Sequence, residues 1–151
     1  MNLNDNKILN IDVLERVNFK KLQILNLGGN EISNNIDILE NVDFKELKGL
    51  YLYDNKISDI KVLEKVKFEK LKILNLEGNN ISNINILRNV NFKQLKELFL
   101  DYNNISNIKV LEKVKFEKLE KINLEGNKIK ERKYYALINN LKSKFIIRVN
   151  I

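Results

Sequence analysis

Cysteine, histidine, proline and tryptophan are all missing from this chain. Without Cys there is no disulfide, no thiol nucleophile and no thiolate metal site. Without His there is no Ser-His-Asp triad, no imidazole base near neutral pH and no His-ligated zinc. No apolar run approaches the roughly 18 residues that a membrane span needs. The opening MNLNDNKILN has neither a basic nor an apolar leader region, so no signal peptide is visible and the expected compartment is cytoplasmic. What is present is 151 residues that are 44% hydrophobic, enough for a packed core and too many for a disordered chain.

The net charge is +7, from 27 basic and 20 acidic residues. Only four of the bases are Arg, which leaves 23 Lys. Nucleic-acid binders favour clustered Arg, so the charge alone does not point to that class. Lys, Asn and Ile are over-used together, and a coding bias toward A and T explains that more simply than a selected binding surface.

A repeat accounts for most of the chain, and a fixed period decides the fold before any other signal does. Lys-Ile-Leu-Asn-Leu-Glu-Gly-Asn-Asn-Ile-Ser begins at Lys72, and close versions recur throughout. Asn6, Asn30, Asn55, Asn79, Asn103 and Asn127 form one ladder, with steps of 24, 25, 24, 24 and 24 residues. The long step coincides with the doubled Asn34-Asn35. Phe19, Phe44, Phe68, Phe92 and Phe116 form a second ladder with the same spacing. Each unit reads L-x-x-L-x-L-x-x-N-x-I-S-x-I-x-[VI]-L-x-x-V-x-F-x-x. Leu3, Asn6 and Ile8 are the tail of a partial unit.

Leu-x-Leu puts alternate side chains on one face of a strand. So short a strand is stable only when stacked on its neighbours as a parallel sheet, about 4.8 Å apart. The Asn falls where the chain turns, and its amide can both donate to and accept from backbone groups that the turn leaves unpaired. The return segment, for example Ile60, Val62, Leu63, Val66 and Phe68, suits one or two helical turns and then an extended stretch that buries the Phe. The Phe ladder is expected to stack continuously along the convex side.

These motifs resemble the leucine-rich repeat family over roughly residues 1–130. N-x-I-S-x-I is most similar to the short repeats of the SDS22 and internalin type, which are typically 22 residues. This chain departs from them with 24-residue units, V-x-F in place of a further Leu, and no Pro. The resemblance implies an α/β fold: a curved solenoid with a parallel sheet on its concave face and short helical turns on its convex face. It brings no particular partner. The expected division is a repeat array over 1–129, one partial and five full units, and a C-terminal cap over 130–151. In the cap, Tyr134, Leu137, Ile138 and Leu141 share a helical face. Phe145, Ile147, Val149 and Ile151 then alternate as in a strand. No equivalent cap is seen at the N-terminus.

Ladder residues are scaffold, so any binding function falls to the variable positions beside the Leu pair, which face the concave side. Between the two Leu stand Asn26, Tyr51, Asn75, Phe99 and Asn123. Next come Gly28, Tyr53, Glu77, Asp101 and Glu125, and then Gly29, Asp54, Gly78, Tyr102 and Gly126. Ile24, Gly49, Ile73, Glu97 and Lys121 precede them, after Gln23, Lys48, Lys72, Lys96 and Glu120. Aromatics concentrate in the second and fourth units, so a shallow slot walled by rings is expected across the unit between. The candidate partner-binding residues are Tyr51, Tyr53, Asp54, Asn75, Glu77, Phe99, Asp101 and Tyr102. Exposed aromatics on a rigid sheet bury much area at low entropic cost and commonly anchor interfaces. Their simpler role is that of good strand formers. The carboxylates among them favour a partner segment carrying Lys or Arg, with the basic excess on the return segments outside.

The leading expectation is therefore a non-enzymatic protein-interaction module that holds a protein or peptide on its concave face. The alternative is electrostatic binding of nucleic acid or an anionic surface through the convex Lys. Those Lys alternate with Glu64, Glu69, Glu112 and Glu117, the usual look of a solvated face. Catalysis would need a carboxylate pair or a Lys, and no cofactor or metal site is implied. Asn80-Ile-Ser and Asn104-Ile-Ser match the glycosylation pattern but follow automatically from the repeat. The near-identical copies of KVLEKVKFEKL also fit a fragment of a longer repeat protein or an idealised scaffold.

Overall fold

The computed structural model describes residues 1–33 and 35–149; Asn34 and Ile151, named above, and Asn150 lie outside the described residues. Each repeat opens with a three-residue strand: β1 (Ile24–Asn26), β2 (Gly49–Tyr51), β3 (Ile73–Asn75), β4 (Glu97–Phe99) and β5 (Lys121–Asn123). A sixth strand, β6 (Ile146–Arg148), follows α1 (Glu131–Lys142). All six form one parallel sheet in sequence order. The register advances by one repeat per strand, so Leu25, Leu50, Leu74, Leu98, Ile122 and Ile147 form one inward-facing row. A partial strand at the start adds to the β1 edge through a parallel bridge between Asn2 and Asn26.

The Leu and Ile of this row and of the next inward position are almost wholly buried. Side chains of that size each contribute on the order of 1.5–3 kcal/mol when removed from water. Since a three-residue strand forms few backbone bonds of its own, burial shared between neighbouring repeats holds the sheet together.

The return segments are 3-10 turns, at Asp12–Arg16, Asn35–Glu40, Lys61–Glu64, Asn85–Arg88 and Lys109–Glu112. Their tight pitch fits the few residues available before the chain must run back. A side chain that the repeat formula leaves variable starts four of them. Asn10, Asp59, Asn83 and Asn107 accept the N–H two residues on, at 2.6 to 3.0 Å. This is the Asx-turn habit of short polar side chains.

The Asn ladder bonds as its spacing requires. Asn79 donates to the carbonyls of Leu52, Leu76 and Glu77 at 2.9, 3.1 and 3.0 Å, and its Oδ1 accepts from Ile57 N–H at 2.9 Å. Asn55, Asn103 and Asn127 repeat the pattern. Each thus ties its own turn to the repeat before it. The Phe ladder is less uniform than expected. Phe44 and Phe68 stack with centroids 6.5 Å apart, and Phe92 is buried beyond them. Phe19 at the open end is 38% exposed and Phe116 is only partly buried, because a ladder's last ring lacks a repeat to cover it.

The far end is closed by α1. Tyr134, Leu137, Ile138 and Leu141 are buried there, and the Tyr134 hydroxyl donates to Asn107 Oδ1 at 3.0 Å. In β6, Ile147 points inward while Ile146 and Arg148 are exposed.

Candidate functional site

The concave face is built from the positions between and after the paired Leu. Backbone geometry there is set by side-chain caps. Asn26, Asn75 and Asn123 each accept the N–H two residues on, from Gly28, Glu77 and Glu125. In the fourth repeat Phe99 replaces this Asn and offers no acceptor. Asp101 N–H turns instead to its own carboxylate.

Two residues past the second Leu the chain takes the left-handed conformation in every repeat. Gly29, Gly78 and Gly126 have φ of 62°, 62° and 68°, and Asp5, Asp54 and Tyr102 have 56°, 47° and 51°. A side chain at such φ is strained by roughly 1–2 kcal/mol. Glycine and non-glycine alternate along the column for a steric reason. Asp5 lies over Gly29, Asp54 over Gly78 and Tyr102 over Gly126, so that a Cβ on any of these glycines would collide with its neighbour's side chain.

The same close fit sets the rings. Tyr53 lies back across Gly28 of the preceding repeat. Tyr51 lies over Gly49 of its own strand, where a Cβ would meet its Cε2 at 2.9 Å. Tyr102 lies forward across Gly126 and remains 61% exposed. Lys121 places its Nζ 4.7 Å from the centre of the Phe99 ring, a cation–π contact. The tyrosines pave the sheet instead of standing as the walls of a slot. Between them, on β3 and just after it, Ile73, Asn75 and Glu77 are half-buried.

Glu77, Asp101 and Glu125 occupy adjacent strands' equivalent positions and form a carboxylate row. Asp101 is only 4% exposed, and its Oδ1 has no hydrogen-bond partner. Burial, and after it the Glu125 charge, holds the Asp101 carboxyl above the ordinary carboxylate range, against the pull of its own N–H, Lys121 and Arg148. Burial raises Glu77 too, with Asp101 and Asp54 adding repulsion and the Asn75 side chain opposing. Among the described residues no ion pair within 4.0 Å reaches Glu77, Asp101 or Glu125. No group of three or more Asp or Glu among those residues is arranged to hold a metal ion.

All eight candidate residues lie on this one face: Tyr51, Tyr53 and Asp54 from the second repeat, Asn75 and Glu77 from the third, and Phe99, Asp101 and Tyr102 from the fourth. Asp54 is exposed, while Tyr51, Tyr53, Asn75, Glu77 and Phe99 are half-buried. Arg148 is an addition: β6 pairs in register with β5, which sets Arg148 in the row of Asn75, Phe99 and Asn123. Its place in the alternating C-terminal stretch was the available signal. Of the return-segment Lys, Lys65 and Lys70 pair with Glu40 and Glu46 of the preceding repeat, as Lys56 beyond the Asn ladder pairs with Glu31.

Stacked Leu-x-Leu strands, an Asn ladder at the turn and short 3-10 return segments are the architecture of leucine-rich repeat proteins. A family model described as leucine-rich repeats, two copies, matches residues 45–89. An internalin (inlF) of Listeria monocytogenes superposes with a TM-score of 0.73 at 29% identity, covering 97% of this chain and 39% of that one. Internalin C2 of the same organism gives 0.65 at 23% identity, over 98% of this chain and 69% of that one. The ectodomain of the receptor kinase SOBIR1 from Arabidopsis thaliana gives 0.60 at 24%, over 83% and 67%. No curated protein matches the sequence. Residues 45–89 thus match the leucine-rich repeat family and the fold is that of internalin-like repeats; the chain spans about two fifths of the first internalin's length. That family is one of protein-interaction modules, typically without enzymatic activity. No helix among the described residues is long and apolar enough to cross a membrane.

Proposed function

We propose that this protein is a non-enzymatic binding module that takes a protein or peptide partner on its concave sheet. The observation that carries this reading is the aromatic paving of Tyr51, Tyr53, Phe99 and Tyr102 on a rigid scaffold. The rings lie against glycines or, for Phe99, beside Lys121 on short strands of a stacked sheet, which limits the freedom to be lost on binding. Unpaired carboxylates between them favour a partner segment that carries Lys or Arg. The convex Lys support the competing anion-binding reading less well, because neighbouring repeats already supply several of them with carboxylates.

The test is affinity capture from source lysate with the native protein and with a variant carrying Ala at Tyr51, Tyr53, Phe99 and Tyr102. Loss of the specific partners from the variant is expected. Retention of all of them refutes the concave reading.

A further inference from the structure

Two features of Asp101 are at odds with a purely structural role. It is almost completely buried, and one oxygen of its carboxylate has no partner. Buried carboxylates are ordinarily paired, because a lone charge removed from water is costly. The neighbours on both sides make matters worse, since Glu77 and Glu125 are acids and neither is held by an ion pair. Two bases stand close enough to act on Asp101, Lys121 and Arg148. Neither closes a salt bridge with it; Lys121 rests on the Phe99 ring.

We propose that the row Glu77–Asp101–Glu125 is the receptor for one cationic side chain, a lysine ammonium or an arginine guanidinium, of the protein partner, and that Asp101 Oδ1 is the acceptor this cation satisfies. The inference rests on the concave reading above and assigns it a chemical class of contact. Arrival of the cation converts mutual repulsion within the row into shared attraction. Glu77 and Glu125 are half-buried and no ion pair holds either of them, so their carboxylates are open to the same cation. The aromatic surroundings suit the same ligand, because the Phe99 face already accepts an ammonium. Lys121 acts as an internal competitor, whose charge lowers the attraction of the row for an incoming cation.

The probe is a fluorescein-labelled octalysine peptide, titrated by anisotropy at pH 7 and low salt, with octaglutamate as the counter-probe. Saturable binding of octalysine alone is expected, although the protein's net charge is +7. Asp101→Asn keeps the shape and should weaken binding by on the order of tenfold, the value of one charge-assisted contact. Glu97→Gln removes an equal charge from the same face outside the row and should change affinity by less than about twofold, as a screened charge does. Lys121→Gln should tighten binding. Equal losses from Asp101→Asn and Glu97→Gln, or no saturable binding at all, overturn the proposal. Capture of the natural partner separates the two readings. A partner lost with Asp101→Asn but kept by the fourfold Ala variant refutes the aromatic anchors and upholds the cation receptor. A partner lost with the Ala variant but indifferent to Asp101→Asn does the reverse.

Discussion

Replacing Asn79 by Ala tests the physical account of the ladder. The side chain makes four hydrogen bonds, and the groups it leaves behind are not equally affected. Leu52 O keeps the Asn55 amide at 3.1 Å, Leu76 O keeps Asn103 at 2.9 Å, and Glu77 O keeps Asp54 N–H at 2.9 Å. Ile57 N–H has Asn79 Oδ1 as its acceptor and is left buried without one. An orphaned buried donor costs roughly 1–3 kcal/mol, and the weakened carbonyl contacts bring the expected loss to about 2–4 kcal/mol. Asn6 is the internal control. It occupies the same place in the pattern, but its amide donates only to Leu3 and Asn4 carbonyls in an exposed turn. Asn6→Ala should cost less than about 1 kcal/mol. Urea unfolding followed by circular dichroism reads both, and the comparison is valid if the m-value is unchanged. A loss below about 1 kcal/mol for Asn79→Ala, or equal losses for both variants, would refute the ladder as a source of stability.

Three further outcomes follow from the geometry. Gly78→Ala should destabilise by more than about 1 kcal/mol, since a Cβ there is strained at φ 62° and meets Asp54. Adding Asp54→Ala should recover part of that loss but not the backbone strain, as thermal melts of the single and double variants can show. Asp101→Asn should raise the melting temperature at pH 7. Asp101 and Glu77 both titrate above the ordinary carboxylate range when folded, so the folded chain holds protons that the unfolded chain has released. Their contribution is most favourable at low pH and is lost as pH rises through the raised values, the reverse of a salt-bridged acid. Melts across pH 4 to 7 should show this loss in the native protein and a shallower one in Asp101→Asn. Leu74→Ala removes a fully buried core side chain and should cost about 3–5 kcal/mol by denaturant unfolding.

The scaffold was legible from sequence because each of its determinants is local and repeated. Leu74 faces inward because Leu76 does, and Asn79 finds carbonyl acceptors because every repeat supplies them at the same offset. The two-residue period of the strand likewise assigns the concave residues to one face. What was hidden depends on contacts between repeats. That Tyr53 lies down across Gly28 requires knowing that the two residues pack side by side, and that the neighbour has no side chain there. The column Gly29, Asp54, Gly78, Tyr102, Gly126 was visible as a list of residues, but the φ it shares was not. The orphaned Asp101 oxygen was hidden because its burial is set by packing between repeats and not by the residue's own place in the pattern. Arg148 could not be placed on the face from sequence, because only the register of β6 on β5 brings it into the Phe99 row.

Hydroxyl-radical footprinting of the protein with its captured partner tests the central claim most directly, since it reads side-chain accessibility residue by residue. The concave account predicts that Tyr51, Tyr53, Phe99 and Tyr102 become protected in the complex. Tyr135, which is 66% exposed on α1, should stay as reactive as in the free protein. Unchanged reactivity of the four concave rings, with protection appearing instead at exposed return-segment residues such as Val13 or Phe19, would contradict it.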